Sequence, residues 1–312
     1  MLTEDNFEKS NWLSTVFQLQ GSVVLMILPR IFFFCGFAAT VTFIYLQGLP
    51  IYLEKLGDLT TNVIYNLVLG LLIVFRTNTS YDRFWEGRKA WGGIVVNSRN
   101  LAQEIRLSIT TDSDHEQQQK NRALKLISAF AIATKLHLRG EAVDADLKAL
   151  TTADQATKLA TSKHRPFDIQ FWLRSYLNDQ LRSQKMSDGQ HGMASGMLND
   201  LMSSVSGCER ILTTPIPITY RVYLKRLILI YCFGLPFRII PDLTWWSIPI
   251  TGVVSFLLLG IEEVARELEN PFGFNLNDLP LDDLCKVIDR DVERIATEDV
   301  PEITPFPEKV AA

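Results

Sequence analysis

The chain has no CxxC pair, no metal-ligand spacing among its 4 cysteines and 4 histidines, and no large excess of either charge. Each shortage excludes something. Cys35, Cys208, Cys232 and Cys285 are scattered, two of them in apolar runs, and read as packing thiols. His115, His137, His164 and His191 are isolated in polar segments, which predicts solvated surface residues and no metal ligands. With 31 Lys and Arg against 35 Asp and Glu, the net charge of -4 gives no case for a nucleic-acid partner. Missing too are GxSxG, a P-loop, HExxH and a Gly-rich fingerprint after a strand. The acidic pairs Glu262–Glu263 and Asp282–Asp283 do not replace them. Adjacent residues on a helix point about 100° apart, so neither pair converges on one substrate atom, and solvated or salt-bridged carboxylates are expected. No catalytic constellation, no enzyme and no cofactor are predicted.

Apolar residues are what the chain has in quantity. They make up 47% of it, against 21% charged, a mix that fits a membrane protein with a substantial polar domain. Residues 31–46, IFFFCGFAATVTFIYL, carry no charge, and with the flanking VVLMILP and QGLPIYL they reach the ~20 apolar residues a spanning helix needs. Residues 243–261, LTWWSIPITGVVSFLLLGI, form a second strong run, with Trp245 and Trp246 placed as an interfacial belt. Two further runs, 63–75 and 227–237, are short. A short span crosses a membrane when protein rather than lipid covers its polar face.

Charge placement sets the orientation. The connection EKLGDLTTN after the first span has a single Lys, whereas Arg76, Arg83, Arg88, Lys89, Arg99 and Arg106 follow the second. The positive-inside rule then predicts four crossings, at 24–50, 60–76, 218–238 and 243–262. Residues 77–214 and 263–312 and both termini are expected in the cytoplasm, and the short turn RIIPD, 238–242, outside. The acidic start MLTEDNFEKSNW is not expected to be a cleavable signal peptide. In the cytoplasmic part, residues 117–138 and 193–212 show helical spacing, and TTPIPITY ends the latter. Between them, residues 141–192 are polar with turn signals such as DGQHG.

One stretch changes character without a helix stop. In NLVLGLLIVFRTNTSYDRFWEGRKAWGG, residues 66–93, the first residues suit hydrocarbon and those from Arg76 onward suit water. Read as one helix, it places Leu67, Leu71 and Phe75 on one stripe ~12 Å long, with Leu69, Gly70 and Ile73 opposite. Such a stripe serves packing or lipid contact, or, repeated around a symmetry axis, a hydrophobic constriction that gates by dewetting. Thr77, Asn78, Thr79 and Ser80 form a polar collar below it, Asp82, Arg83, Glu86, Arg88 and Lys89 are positioned for ion pairs, and Trp85 and Trp91 for packing. In Thr213-Thr214-Pro215-Ile216-Pro217-Ile218, two prolines break the helix and fix the backbone at Ile216, as an ordinary loop or as a second narrow place.

Three segments carry a resemblance: FRTNTSYDRFWEGRKAWG (75–92), CERILTTPIPITY (208–220) and ENPFGFNLNDLPLDDLC (269–285). Through them the chain resembles the bestrophin family, specifically its bacterial branch, over roughly residues 10–290. The resemblance implies an all-α membrane protein with four transmembrane helices and a large helical cytoplasmic region. It implies a homopentamer around a central pore in the cell (inner) membrane, passing monovalent ions passively across the lipid bilayer. Matched motif to motif, the pore neck falls on Leu67, Leu71 and Phe75, and the cytosolic aperture on Ile216.

Animal members bind calcium through acidic residues just after NPFG. Here Asn270-Pro271-Phe272-Gly273 is followed by Phe274, Asn275, Leu276 and Asn277, with Asp278 the only acid. A Ca²⁺ site takes ~6–8 oxygen ligands, several of them carboxylates. Calcium activation of the animal type is therefore not expected, and conduction dependent on submicromolar calcium would overturn this. The neck residues carry no charge with which to choose an ion's sign, and residues 76–106 offer candidates of both. The breadth of the family favours anions such as chloride or bicarbonate, while some bacterial members are cation-selective. A non-conducting membrane scaffold and a secondary transporter are the rival classes. A transporter is expected to show inverted repeats and broken helices, and no such pair is visible.

Overall fold

The computed structural model describes residue 21, residues 23–49 and residues 54–298. The expectations for MLTEDNFEKSNW, for Pro50 and for the tail beyond 298 lie outside these residues. The regular structure described is helical: α1 (Val24–Leu46), α2 (Glu54–Thr61), α3 (Val63–Ser108), α4 (Asp114–Arg139), α5 (Ala145–Ala149), α6 (Ala153–Thr161), α7 (Arg165–Arg182), α8 (Asp188–Thr213), α9 (Ile218–Leu243), α10 (Ser247–Leu268) and α11 (Leu281–Thr297). The chain divides into two compact units, Met1–Arg88 with Ile211–Leu279, and Lys89–Arg210 with Pro280–Ala312.

Among the described residues, three stretches are long and apolar enough to cross a membrane, Val24–Leu46, Val63–Ser108 and Ile218–Leu268, and the apolar part of each falls in the first unit. The last is two helices. α9 runs through Pro236 and Pro241 and ends where Thr244 takes a φ of 43°, and a 3-10 turn, Thr244–Trp246, leads into α10. Residues 238–242, read as a turn, are thus helical, and the reversal lies just beyond them. The two prolines mark the weakened end of the helix rather than its stop. Trp245 and Trp246 are exposed at this reversal.

The core of this unit joins α1, α3 and α9 through Phe34, Leu69, Ile73, Leu224, Ile228 and Cys232. Phe37 packs edge-on against Phe233, with ring centroids 4.8 Å apart. Close approach of helices depends on small residues, as is usual in membranes. A Cβ on Gly234 would lie 2.7 Å from the Leu56 carbonyl oxygen, so α2 seats against α9 only because that position is glycine. The paired acids are salt-bridged. Glu263 is buried between Arg30, 3.3 Å away, and Arg266, and Glu262 lies 3.6 Å from Lys225.

The second unit is built around α4, whose Leu124, Ile127, Phe130 and Ala133 are buried and which packs on α7 and α11. Ser113 caps its start by accepting the Glu116 N–H, and Gly140 ends it in a left-handed conformation, φ 67°. Its buried Lys120 donates to the carbonyls of Arg106 and Ile109 at 2.8 and 2.7 Å, supplying partners to the end of α3. Lys135 and Arg139 hold Asp282, in the first turn of α11, at 3.0 and 2.8 Å. The Arg139 hydrogen bond, with Lys135 beside it, outweighs burial and holds the Asp282 carboxyl below its ordinary range. Residues 141–192, read only as polar with turn signals, contain α5, α6 and α7. Their starts are local chemistry: Asp144 caps α5, Thr152 and Gln155 form a capping box on α6, and Pro166 sits in the first turn of α7.

Candidate functional site

α3 is one unbroken helix, and in the first unit its two faces differ sharply. Leu69, Ile73, Arg76 and Ser80, at spacings of three and four, are buried, whereas Leu67 is 69%, Leu71 52% and Phe75 55% exposed. The predicted stripe therefore forms a continuous apolar ridge left uncovered by the described residues of its own chain. Gly70, placed by the periodicity opposite that stripe, is exposed. Of the polar collar, Asn78 and Thr79 face outward, Thr77 bonds back to the Ile73 carbonyl at 3.0 Å, and Ser80 is buried. Val63, Ile64 and Val74 extend the exposed apolar surface.

The double-proline segment is an interruption between α8 and α9, as the sequence predicts. Ile216 is placed differently from the neck residues: its side chain is buried, 7% exposed, and its N–H donates to Glu269 Oε1 at 3.1 Å. The other oxygen of the same carboxylate, Oε2, accepts from Arg76 Nη2 at 2.7 Å, in a pair where Arg76 is 2% and Glu269 9% exposed. Glu269 thus joins the residue after Phe75 directly to the backbone of Ile216. Burial would raise the Glu269 carboxyl, but the Arg76 hydrogen bond and charge, the Ile216 N–H and Arg221 together hold it below its ordinary range.

Two turns further along α3, Arg83 reaches the same segment. It donates to the Thr214 carbonyl at 2.7 Å, to the Glu269 carbonyl at 3.2 Å and to the Ile211 carbonyl. The Ile211 and Thr214 carbonyls lie at the end of α8 and just past it, and that of Glu269 directly follows α10, all places where helical N–H partners run out, so the guanidinium serves as a C-terminal cap for both helices. Gly87 completes the seat: a Cβ there would lie 2.9 Å from Pro271 and 3.1 Å from the ring of Phe272, which is 1% exposed. The NPFG turn can therefore lie directly on α3. After it, Asp278 is spent on its own turn, accepting the Asn275 N–H at 2.8 Å, and Asn277 donates to Glu267 at 2.8 Å.

Two features escaped the sequence reading. Glu269 lies inside a quoted motif but carries no periodic or spacing signal. The clue was that Arg76 falls in register with Leu69 and Ile73, so a buried cation needed a carboxylate. The second is a correction. His137 and His164, read as isolated, stack with ring centroids 4.7 Å apart and share Glu209. His115 and His191 do sit apart, bonded to Gln119 and Asn178.

Described residues whose regular structure is helical throughout, with apolar helices long enough to cross a bilayer and an exposed ridge on one of them, have the architecture of a membrane protein. The family is shown by comparison: a bacterial/fungal bestrophin family model matches residues 6–294, and the chain belongs to that family. It is 43% identical over 289 residues, 93% of each chain, to a protein of Nostoc sp. named a voltage-dependent anion channel-forming protein. A Synechocystis protein of the same name is 38% identical, over 90% of this chain and 91% of its own. Among solved structures, a bacterial bestrophin homologue from Klebsiella pneumoniae superposes with a TM-score of 0.76 at 26% identity. That match covers 88% of this chain and 100% of the other.

Proposed function

We propose that the chain is the subunit of a homopentameric ion channel of the cell (inner) membrane that passes monovalent anions passively. The carrying observation is the ridge Leu67–Leu71–Phe75, exposed on a membrane helix whose other face is packed. Five copies of that ridge around an axis make a dry neck, which ions cross only when it wets. The cytosolic aperture position falls to Ile216 by the match of its motif to the family, its backbone held by the neighbouring prolines and by Glu269 and its side chain packed within its own subunit. The four crossings are those read from the sequence, at 24–50, 60–76, 218–238 and 243–262, with both termini cytoplasmic. The hairpin of α9 and α10, which pack on each other, supports the last two. The names of the relatives support the anion, since the neck has no charge of its own.

The test is the reversal potential of the purified protein in a planar bilayer under a NaCl gradient. A value near the chloride potential is expected. A value near the sodium potential would make the channel cation-selective and the sign of the proposal wrong. No current from intact pentamers would favour a scaffold.

A further inference from the structure

In the second unit, His137 comes from the last turn of α4, His164 from the residue before α7, and Glu209 from α8. Nε2 of His137 lies 2.7 Å and Nε2 of His164 3.0 Å from the same Glu209 oxygen, Oε1. One ligand atom from each residue falls within 4.8 Å of the others. We propose that these three residues bind a divalent transition-metal ion, with Zn²⁺ the best match to their chemistry, and that the ion ties α4, α7 and α8 together.

The donor set selects the metal class. Two imidazoles and a carboxylate suit Zn²⁺ and its first-row neighbours, whereas Ca²⁺ and Mg²⁺ take oxygen ligands. Three protein ligands with a fourth position for water is a known zinc arrangement. Bond lengths of ~2.0–2.2 Å in a tetrahedron place ligand atoms ~3.3–3.6 Å apart. The two sides to Glu209, 2.7 and 3.0 Å, must therefore open by only a fraction of an ångström, and the side between the two histidines is at most 4.8 Å. Access is available: the side chains of His137, Glu209 and His164 are 22%, 27% and 35% exposed, enough for an ion and its water to enter.

The proton inventory also closes. In the metal-free arrangement Nδ1 of His164 accepts the Phe167 N–H at 3.3 Å, so the ring proton is on Nε2 and is donated to Glu209. An ion on Nε2 requires that proton to move to Nδ1, which ends the bond from Phe167. That amide keeps its second acceptor, the His164 carbonyl, at 3.1 Å. The cost is one long cap bond, against two or three metal bonds gained.

The experiment uses the full chain in detergent, stripped with a chelator and then titrated with Zn²⁺, and in parallel with Co²⁺, whose visible absorption reports tetrahedral coordination. One ion per chain is expected, with the cobalt bands displaced by zinc. His137→Ala, His164→Ala and Glu209→Gln should each weaken binding at least ~10-fold, judged by the cost of losing a single metal contact or its support. His115→Ala, outside the cluster, should bind as the parent does. Far-ultraviolet circular dichroism separates lost binding from lost fold, and Glu209→Gln, the least disruptive change, decides if the alanine variants do not fold. Absence of stoichiometric binding at micromolar zinc would overturn the proposal. So would wild-type binding by folded Glu209→Gln and His137→Ala.

Discussion

Replacing Glu269 with alanine should destabilise the first unit by about 3–5 kcal/mol, the usual cost of leaving one member of a buried ion pair behind. Arg76 is then almost fully buried with its charge unanswered, and its Nη1 already lacks a hydrogen-bond partner. The Ile216 N–H loses its acceptor in the same substitution. Glu269→Gln should cost less, because its amide oxygen still accepts one hydrogen bond while the charge of Arg76 goes unbalanced. The double variant Arg76→Met, Glu269→Leu should recover much of the loss, since apolar residues of similar volume often replace a buried pair without penalty. Apparent melting temperature in detergent should therefore fall in the order parent, Glu269→Gln, Glu269→Ala. If Glu269→Ala melts with the parent, the clamp contributes nothing.

The same carboxylate sets an acid limit. A carboxyl held below its ordinary range stabilises the fold at neutral pH. That contribution begins to fade near the unfolded value, about 4.3, and is lost as pH falls through the lower folded value. The melting temperature of the parent should drop in that window, and that of Glu269→Ala should drop less. Asp282 is shifted in the same direction by Arg139 and Lys135, so the second unit has its own acid-sensitive contact, which the Glu269 variants leave intact.

What the sequence made legible followed from periodicity and from punctuation. Leu67, Leu71 and Phe75 were found on one face because a helix repeats every 3.6 residues, and of the three residues read as opposite them Leu69 and Ile73 are buried while Gly70, at the edge of that face, is exposed. The prolines at 215 and 217 announced the break between α8 and α9 because they cannot continue a helix. What stayed hidden depends on pairs distant in the chain. Arg76 and Glu269, 193 positions apart, carry no mutual signal in a single sequence. Neither do His137 and Glu209, at 72. The turn read at 238–242, in the gap between two apolar runs, is helical for a different reason: a helix near its end tolerates Pro241, so the reversal falls at Thr244 instead.

Phe75→Ala should raise the conductance or the resting open probability severalfold if the ridge on α3 lines a neck. The effect follows from dewetting. In the proposed pentamer a ring of five phenyl groups would leave a narrow apolar gap in which water is unstable, and truncation to methyl groups would widen it and let it fill. Leu71→Ala and Leu67→Ala should act in the same direction on the same ridge. Leu69→Ala is the informative contrast. It removes a buried side chain one face away, at a cost of about 2–5 kcal/mol of stability, without opening a pore. Its melting temperature should fall while its single-channel conductance stays put. Ile216→Ala tests the other end: because that side chain is packed, its truncation should loosen the proline loop and deregulate current rather than simply enlarge it. Parental currents from both Phe75→Ala and Ile216→Ala would remove the constrictions from these positions. Parental stability in Phe75→Ala combined with raised current would tie the uncovered ridge to ion flow rather than to packing, since only a residue that its own fold leaves bare can change the one without the other.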